Sequence, residues 1–354
     1  MPSKNENLNI FFAASPLHLI CINEFRRERN INKYKLILFL HKGNSHALQQ
    51  IFLTLKELGF KKYTIFWIPK NKFLKYLSEI FLIIKLKFKS SKRNLLFLII
   101  DFRNIFMQSL RRYFMNAEFI LIDDGFYTFV AHEYFMSNNV FLPIPKYKNF
   151  YWLISKIIYF GHAFSYLKNK PLKLFTIYAD EFNNKMAEMN KLNYLRNLVS
   201  KRIKIEYDKV FFVGTQMAER GTLTVDQELH LVKTAKNYWE AKGKIMYYVG
   251  KRSTSKKKLE LFKKNNIKVK SYNLPLELIL IKKEFIPGNI CTLGSTLQKS
   301  LRLIFDNKIN FYFIDIKEFF KGDKEASIDM DEVDYFAAKY SYNSSNIKTI
   351  YLNS

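Results

Sequence analysis

Asp123 and Asp124 are adjacent carboxylates followed by Gly125, and the apolar run Phe119-Ile120-Leu121-Ile122 leads into them. Such a run reads as a strand, so both carboxylates fall at its C-terminal end, where the glycine lets the backbone turn sharply. Neighbouring carboxylates raise one another's pKa, which suits one of them to take a proton near neutral pH. An ordinary Asp-Asp-Gly turn accounts for the same residues.

Three more stretches have residue types suited to a nucleotide. Leu293-Gly294-Ser295-Thr296 follows a strand-like run and precedes a helical one. Its glycine and hydroxyls suit a phosphate cradle built on helix N–H groups, or a plain Ser/Thr cap. Pro275-Leu276-Glu277 places an acid at the opening of a helix, where it could accept ribose hydroxyls or serve the helix dipole. Gly250-Lys251-Arg252 follows the run 244–249, which puts cations where a phosphate could meet them, or begins a solvated, lysine-rich helix. Ser15-Pro16-Leu17-His18 follows the first apolar run, and His18 is the histidine to watch there.

Other chemistries lack their residues. The six histidines show no zinc-ligand spacing, and no GxSxG, GxGxxG or Walker loop occurs. Asp329-Met330-Asp331 has the DxD form, but more acids follow at what reads as a helix start, so the dipole explains it more simply.

The elements that must position these groups alternate. Apolar runs at 8–14, 34–40, 63–68, 95–100 and 119–122 are separated by helical periodicity. The alternation resumes with runs at 209–213, 244–249, 268–272, 289–293 and 311–314. Strands separated by helices predict parallel sheets covered on both faces. The expected fold is α/β, two Rossmann-like domains facing a central cleft, an architecture that the resemblance given below makes GT-B-like. The domains expected are a Rossmann-like one at 1–180, a helical linker at 181–205, a second Rossmann-like one at 206–326 and a tail at 327–354 that packs back. The resemblance given below would make the first the acceptor side and the second the CMP-sugar-binding domain.

The 354 residues carry 58 Lys and Arg against 31 Asp and Glu, a net charge of +27. That field attracts polyanions, and an anionic membrane surface is the expected partner. No nucleic-acid-binding motif occurs, so no nucleic acid is expected. Two cysteines exclude a disulfide framework and fit a reducing, cytoplasmic setting. The first residues do not read as a secretory signal, and no run is long enough to span a bilayer. The stretches 73–88 and 149–164 mix apolar residues with lysine and read either as buried core helices or as elements lying in a bilayer interface.

Taken in order, these motifs resemble those of the bacterial GT-B sialyltransferases, glycosyltransferase family 52 and the related capsule polysialyltransferases. Ser15-Pro16-Leu17 looks like the family's opening, Asp123-Asp124-Gly125 its D/E-D/E-G motif, and Gly214-Thr215-Gln216 the start of its second half. Pro275, Glu277, Ser295 and Thr296 look like its ribose and phosphate contacts. The resemblance implies that Asp123 is the general base, with Asp124 in support. It implies a CMP nucleotide held by Gly214, Thr215, Lys251, Arg252, Pro275, Glu277, Gly294, Ser295 and Thr296. Ser15, Pro16, His18 and Gly125 would lie on the acceptor side. No metal and no other cofactor is implied, because a CMP leaving group carries no diphosphate to neutralise. Where the family has a phosphate-binding histidine this chain has Val249-Gly250-Lys251-Arg252, and Lys251 would supply the positive charge.

The expected function is therefore an inverting, metal-independent glycosyltransferase. It would move sialic acid from CMP-sialic acid, or a related nonulosonate, to a hydroxyl of a surface glycan, lipooligosaccharide or capsule. It would sit on the inner face of the bacterial inner membrane. A transferase for another CMP-linked acid such as a Kdo-type sugar, and a non-catalytic basic surface-binding protein, are the alternatives.

Overall fold

The computed structural model describes residues 7–43, 45–90, 94–102, 104–125, 128, 131–132, 172–182, 185–214, 217–219, 221, 223–251, 254–293, 295–314 and 347–352. The chain divides into two compact units, Met1–Lys191 and Leu192–Ser354.

The first unit alternates β1 (Leu8–Ala13), α1 (Pro16–Glu28), β2 (Tyr34–Leu40), α2 (Ser45–Glu57), β3 (Thr64–Trp67), α3 (Lys72–Ser90), β4 (Leu95–Ile99), α4 (Ile105–Tyr113) and β5 (Glu118–Ile122). Strands β6 (Lys173–Thr176) and β7 (Ala187–Met189) complete its sheet. The strand order is β3-β2-β1-β4-β5-β6-β7, and every pair is parallel. The central strand β1 is buried at all six positions, as a strand covered on both faces must be. Its Phe12 ring packs against Phe39, Phe97 and Phe106, so the phenylalanine-rich composition is spent on an aromatic core. Each such ring stabilises the fold by about 1.5–3 kcal/mol on burial.

The second unit repeats the pattern with α5 (Asn193–Leu198), β8 (Lys204–Val213), α6 (Val225–Glu240), β9 (Ile245–Val249), α7 (Lys256–Lys264), β10 (Lys268–Lys270), α8 (Leu276–Leu280), β11 (Phe285–Thr292), α9 (Leu297–Phe305), β12 (Asn310–Ile314) and β13 (Ile347–Ile350). Its order is β10-β9-β8-β11-β12-β13, again all parallel. Trp239, Tyr248 and Phe262 fill its core. In both units the strand order reverses beside the first strand, at β1/β4 and at β8/β11. Crevices at such switch points, outside the carboxyl ends of the strands, are where open α/β sheets bind ligands.

Strands β6, β7 and β13 were not expected from the sequence. Each spans three or four residues, too short to show an alternation, and exists because a neighbouring strand offers it a ladder. The stretch 181–205, expected as a helical linker, contains β7, which pairs with β6, and then α5. Strand β8 begins at Lys204 rather than 209, and its extra length pairs with an equally extended β11 through a register shift between Pro287 and Asn289. Gly288 sits at that shift because a Cβ there would lie 2.8 Å from the Tyr207 Cα. The stretches 149–164 and 327–346 lie outside the described residues. No helix among the described residues is long and apolar enough to cross a membrane.

Candidate functional site

In the first unit the site starts from the cap of α1. Ser15 Oγ accepts the His18 backbone N–H at 3.3 Å, and Pro16 takes the first turn, where a missing N–H costs nothing. The His18 ring is then held by its own neighbourhood, because Nδ1 accepts the Ala14 N–H at 3.1 Å. An amide only donates, so Nδ1 presents its lone pair and the ring proton sits on Nε2. That Nε2–H donates to Asp124 Oδ1 at 3.0 Å. His18 is buried, while the Asp124 side chain is 30% exposed. Asp124 borders a shallow recess shared with Ile100, Asp101, Phe102 and Leu121, at the carboxyl ends of β4 and β5.

The two adjacent aspartates have opposite surroundings. Asp123, expected as the base facing substrate, is 1% exposed. Its Oδ1 accepts the Thr176 hydroxyl at 2.5 Å, and its Oδ2 accepts the Ile177 N–H at 2.9 Å. Burial pushes its carboxyl up to about 6, against the opposing pull of the Thr176, Ile177 and Thr128 hydrogen bonds and the nearby His18. Asp123 thus stitches the end of β5 to the end of β6, and Asp124 is the carboxylate at the recess. Thr128 completes the turn. Its hydroxyl accepts the Asp124 N–H at 3.0 Å, and its own N–H reaches the Gly125 carbonyl at 3.3 Å. Gly125 has φ +61°, a left-handed conformation that glycine adopts without strain.

In the second unit Gly214 ends β8, and its N–H donates to the Val249 carbonyl at 2.9 Å. A Cβ on Gly214 would lie 2.2 Å from the Tyr248 hydroxyl oxygen, so glycine is required for packing alone. The Tyr248 hydroxyl donates to Glu228 Oε1 at 3.3 Å, and Lys258 Nζ bonds Glu228 Oε2 at 2.5 Å and Glu219 Oε2 at 3.1 Å. The Ala218 N–H also reaches Glu228, at 3.3 Å, so this buried ion cluster holds the chain just beyond β8. Burial raises the Glu228 carboxyl, and Lys258 opposes the rise.

Lys251 is half-buried just past β9, the strand beside β8. Ser295 and Thr296 follow β11, the other neighbour of β8, at the start of α9. The Ser295 hydroxyl accepts the Leu297 N–H at 3.4 Å, while the Thr296 side chain makes no cap bond. Pro275 caps α8. Glu277, read from the sequence as a ribose acceptor, is 8% exposed and takes the Ser300 hydroxyl of α9 at 2.7 Å. Burial raises its carboxyl, and the Ser300 bond opposes the rise. Thr215, Arg252 and Gly294 lie outside the described residues. Among the described residues no cluster of three or more His, Cys, Asp or Glu side chains is arranged to hold a metal ion.

No protein-family model matches the sequence, and no protein of curated function matches it. Solved structures do match. A UDP-GlcNAc 2-epimerase from Neisseria meningitidis, solved bound to UDP-GlcNAc, superposes with a TM-score of 0.53 over 98% of this chain and 88% of its own, at 10% identity. The UDP-GlcNAc 2-epimerase of Methanocaldococcus jannaschii, solved with UDP-GlcNAc and UDP, gives 0.52 over 98% and 90%, at 11% identity. The fold is of the GT-B type. At such identities the likeness concerns the path of the backbone alone, and site chemistry has to be argued from the side chains.

Sequence reasoning missed Thr128, Thr176 and the pairing of His18 with Asp124. Thr176 ends the four-residue strand β6, too short to be marked in the sequence. The 106 residues between His18 and Asp124 carry no signal of their contact.

Proposed function

We propose that the protein is an inverting glycosyltransferase that moves sialic acid, or a related nonulosonate, from its CMP form to a hydroxyl of a surface glycan. Asp124 is the base in this reading, in place of Asp123. The observation that carries it is the His18–Asp124 pair: a half-exposed carboxylate, held by a histidine of fixed tautomer, at the recess of a GT-B unit. His18 holds the carboxylate in place, and Asp123 supports the turn from below.

The acceptor hydroxyl gives its proton to Asp124 as its oxygen attacks the anomeric carbon. The bond from that carbon to the CMP phosphate oxygen breaks, and the electron pair leaves with CMP. The oxocarbenium-like transition state asks for a base on one side and positive charge at the departing phosphate on the other. In the second unit Lys251 and the hydroxyls of Ser295 and Thr296, at the strand ends beside β8, suit that phosphate. The phosphate of CMP is singly esterified, so the reaction calls for no metal and no other cofactor. An anionic membrane surface would hold the enzyme near lipid-linked acceptors.

Thermal-shift titration with CMP, CDP and UDP, followed by CMP release from CMP-sialic acid with a panel of galactosides, tests the reading. Stabilisation by CMP and acceptor-dependent release are expected. Stabilisation by UDP alone would move the donor to the nucleotide bound by the structurally similar epimerases. CMP binding without release would favour another CMP-linked acid such as a Kdo-type sugar. A salt-dependent response to oligonucleotides alone would favour a non-catalytic binder.

A further inference from the structure

Helix α3 is buried along one face and carries apolar side chains along the opposite one. Glu79, Ile83 and Leu86 point inward and are buried. Across the helix Phe73, Leu74, Leu77, Phe81, Ile84 and Phe88 are all exposed, Phe81 by 69% and Phe88 by 82%. Advancing by roughly 100° per residue, these six fall within an arc of about 100°, with Lys85 just beyond one edge and Lys87 just beyond the other. A soluble helix normally turns charge to water on this face, and scattered exposed apolar residues do not form a continuous stripe.

We propose that this stripe is a docking surface for an anionic lipid bilayer, lying in the plane of the headgroups with the aromatic rings below them. Charge decides between the occupants. The one carboxylate of α3, Glu79, is buried, with Lys75 Nζ 3.9 Å away, so the outer face offers only positive charge. A second copy laid on the stripe would set lysine against lysine, whereas anionic headgroups complement both flanks. Trp67 and Tyr63, half-exposed in and beside the edge strand β3 that precedes α3, are the residue types that favour such an interface. The inference deepens the membrane location of the proposed transferase but stands on α3 alone, so it is tested without donor or acceptor.

The full-length protein and a Leu77→Ser/Phe81→Ser/Phe88→Ser variant are sedimented with phosphatidylglycerol vesicles and with phosphatidylcholine vesicles. The wild type is expected to bind the anionic vesicles, and the variant to bind at least about tenfold more weakly while keeping its melting temperature and any CMP binding. Equal vesicle binding by the two proteins overturns the proposal. So does a wild-type dimer that the variant loses in sedimentation without vesicles, which would make a second copy the occupant. A variant that melts several degrees lower and binds vesicles unchanged also overturns it, because the stripe would then be covered by the chain itself.

Discussion

Over six strands the two units share one order, to which the first unit adds β7, and they differ in what they place at the carboxyl ends of their strands. The first unit assembles acids and an imidazole: Asp124 held by His18, with Asp123 beneath them on Thr176 and Ile177. The second carries hydroxyls and a cation after the strands that flank β8, Ser295 and Thr296 after β11 and Lys251 after β9. Carboxylates repel anions, whereas hydroxyls and a lysine suit them, so one strand topology carries two different sets of side chains. Their buried charges differ as well. Asp123 is buried on the Thr176 hydroxyl and the Ile177 N–H, and burial pushes its carboxyl up to about 6. Glu228 is buried with a lysine of opposite charge, which opposes the effect of burial.

The sharpest way to break this comparison is to exchange the aspartates by function. Asp124→Asn is expected to lower transfer by about 10³-fold, the scale of a lost general base, with CMP binding unchanged. Asp123→Asn should cost less activity, and steady-state rates that rank the two the other way return the base to Asp123.

The buried cations test the second unit. Lys258→Met leaves Glu228 uncompensated and is expected to cost about 3–5 kcal/mol in denaturant unfolding. Adding Glu228→Gln should recover much of that loss, and a double variant no more stable than the single one would show that the cluster does not act as a pair.

The smallest effect is the pH dependence of Asp123. Its folded value lies above the unfolded 3.8, so the native state favours the protonated form. That contribution is complete below about pH 3.8 and lost as pH rises through about 6. At 1.36 kcal/mol per pKa unit it amounts to about 3 kcal/mol. Wild type should therefore lose about that much stability relative to Asp123→Asn between pH 4 and pH 7. Parallel stability curves for the two proteins would mean that Asp123 is not a desolvated acid.

Much of the scaffold was legible because its signals are local. Apolar runs marked the central strands, and the helical periodicity between them marked the crossovers. At Glu277 local reading left a ribose contact and a helix-dipole role both open. An acid opening a helix looks available from its position, and only the packing of α8 on α9 turns it inward to Ser300.

The sequence by itself determined the alternation of strands and helices, the position of the acidic pair at a strand end and the positive field, because each depends on residue type and near neighbours. The tertiary structure alone decided which aspartate is buried, which histidine nitrogen carries the proton and which face of α3 is left exposed. Each of these depends on partners that the fold brings from tens of residues away, and burial and hydrogen bonding, unlike periodicity, leave no mark on a single stretch of chain.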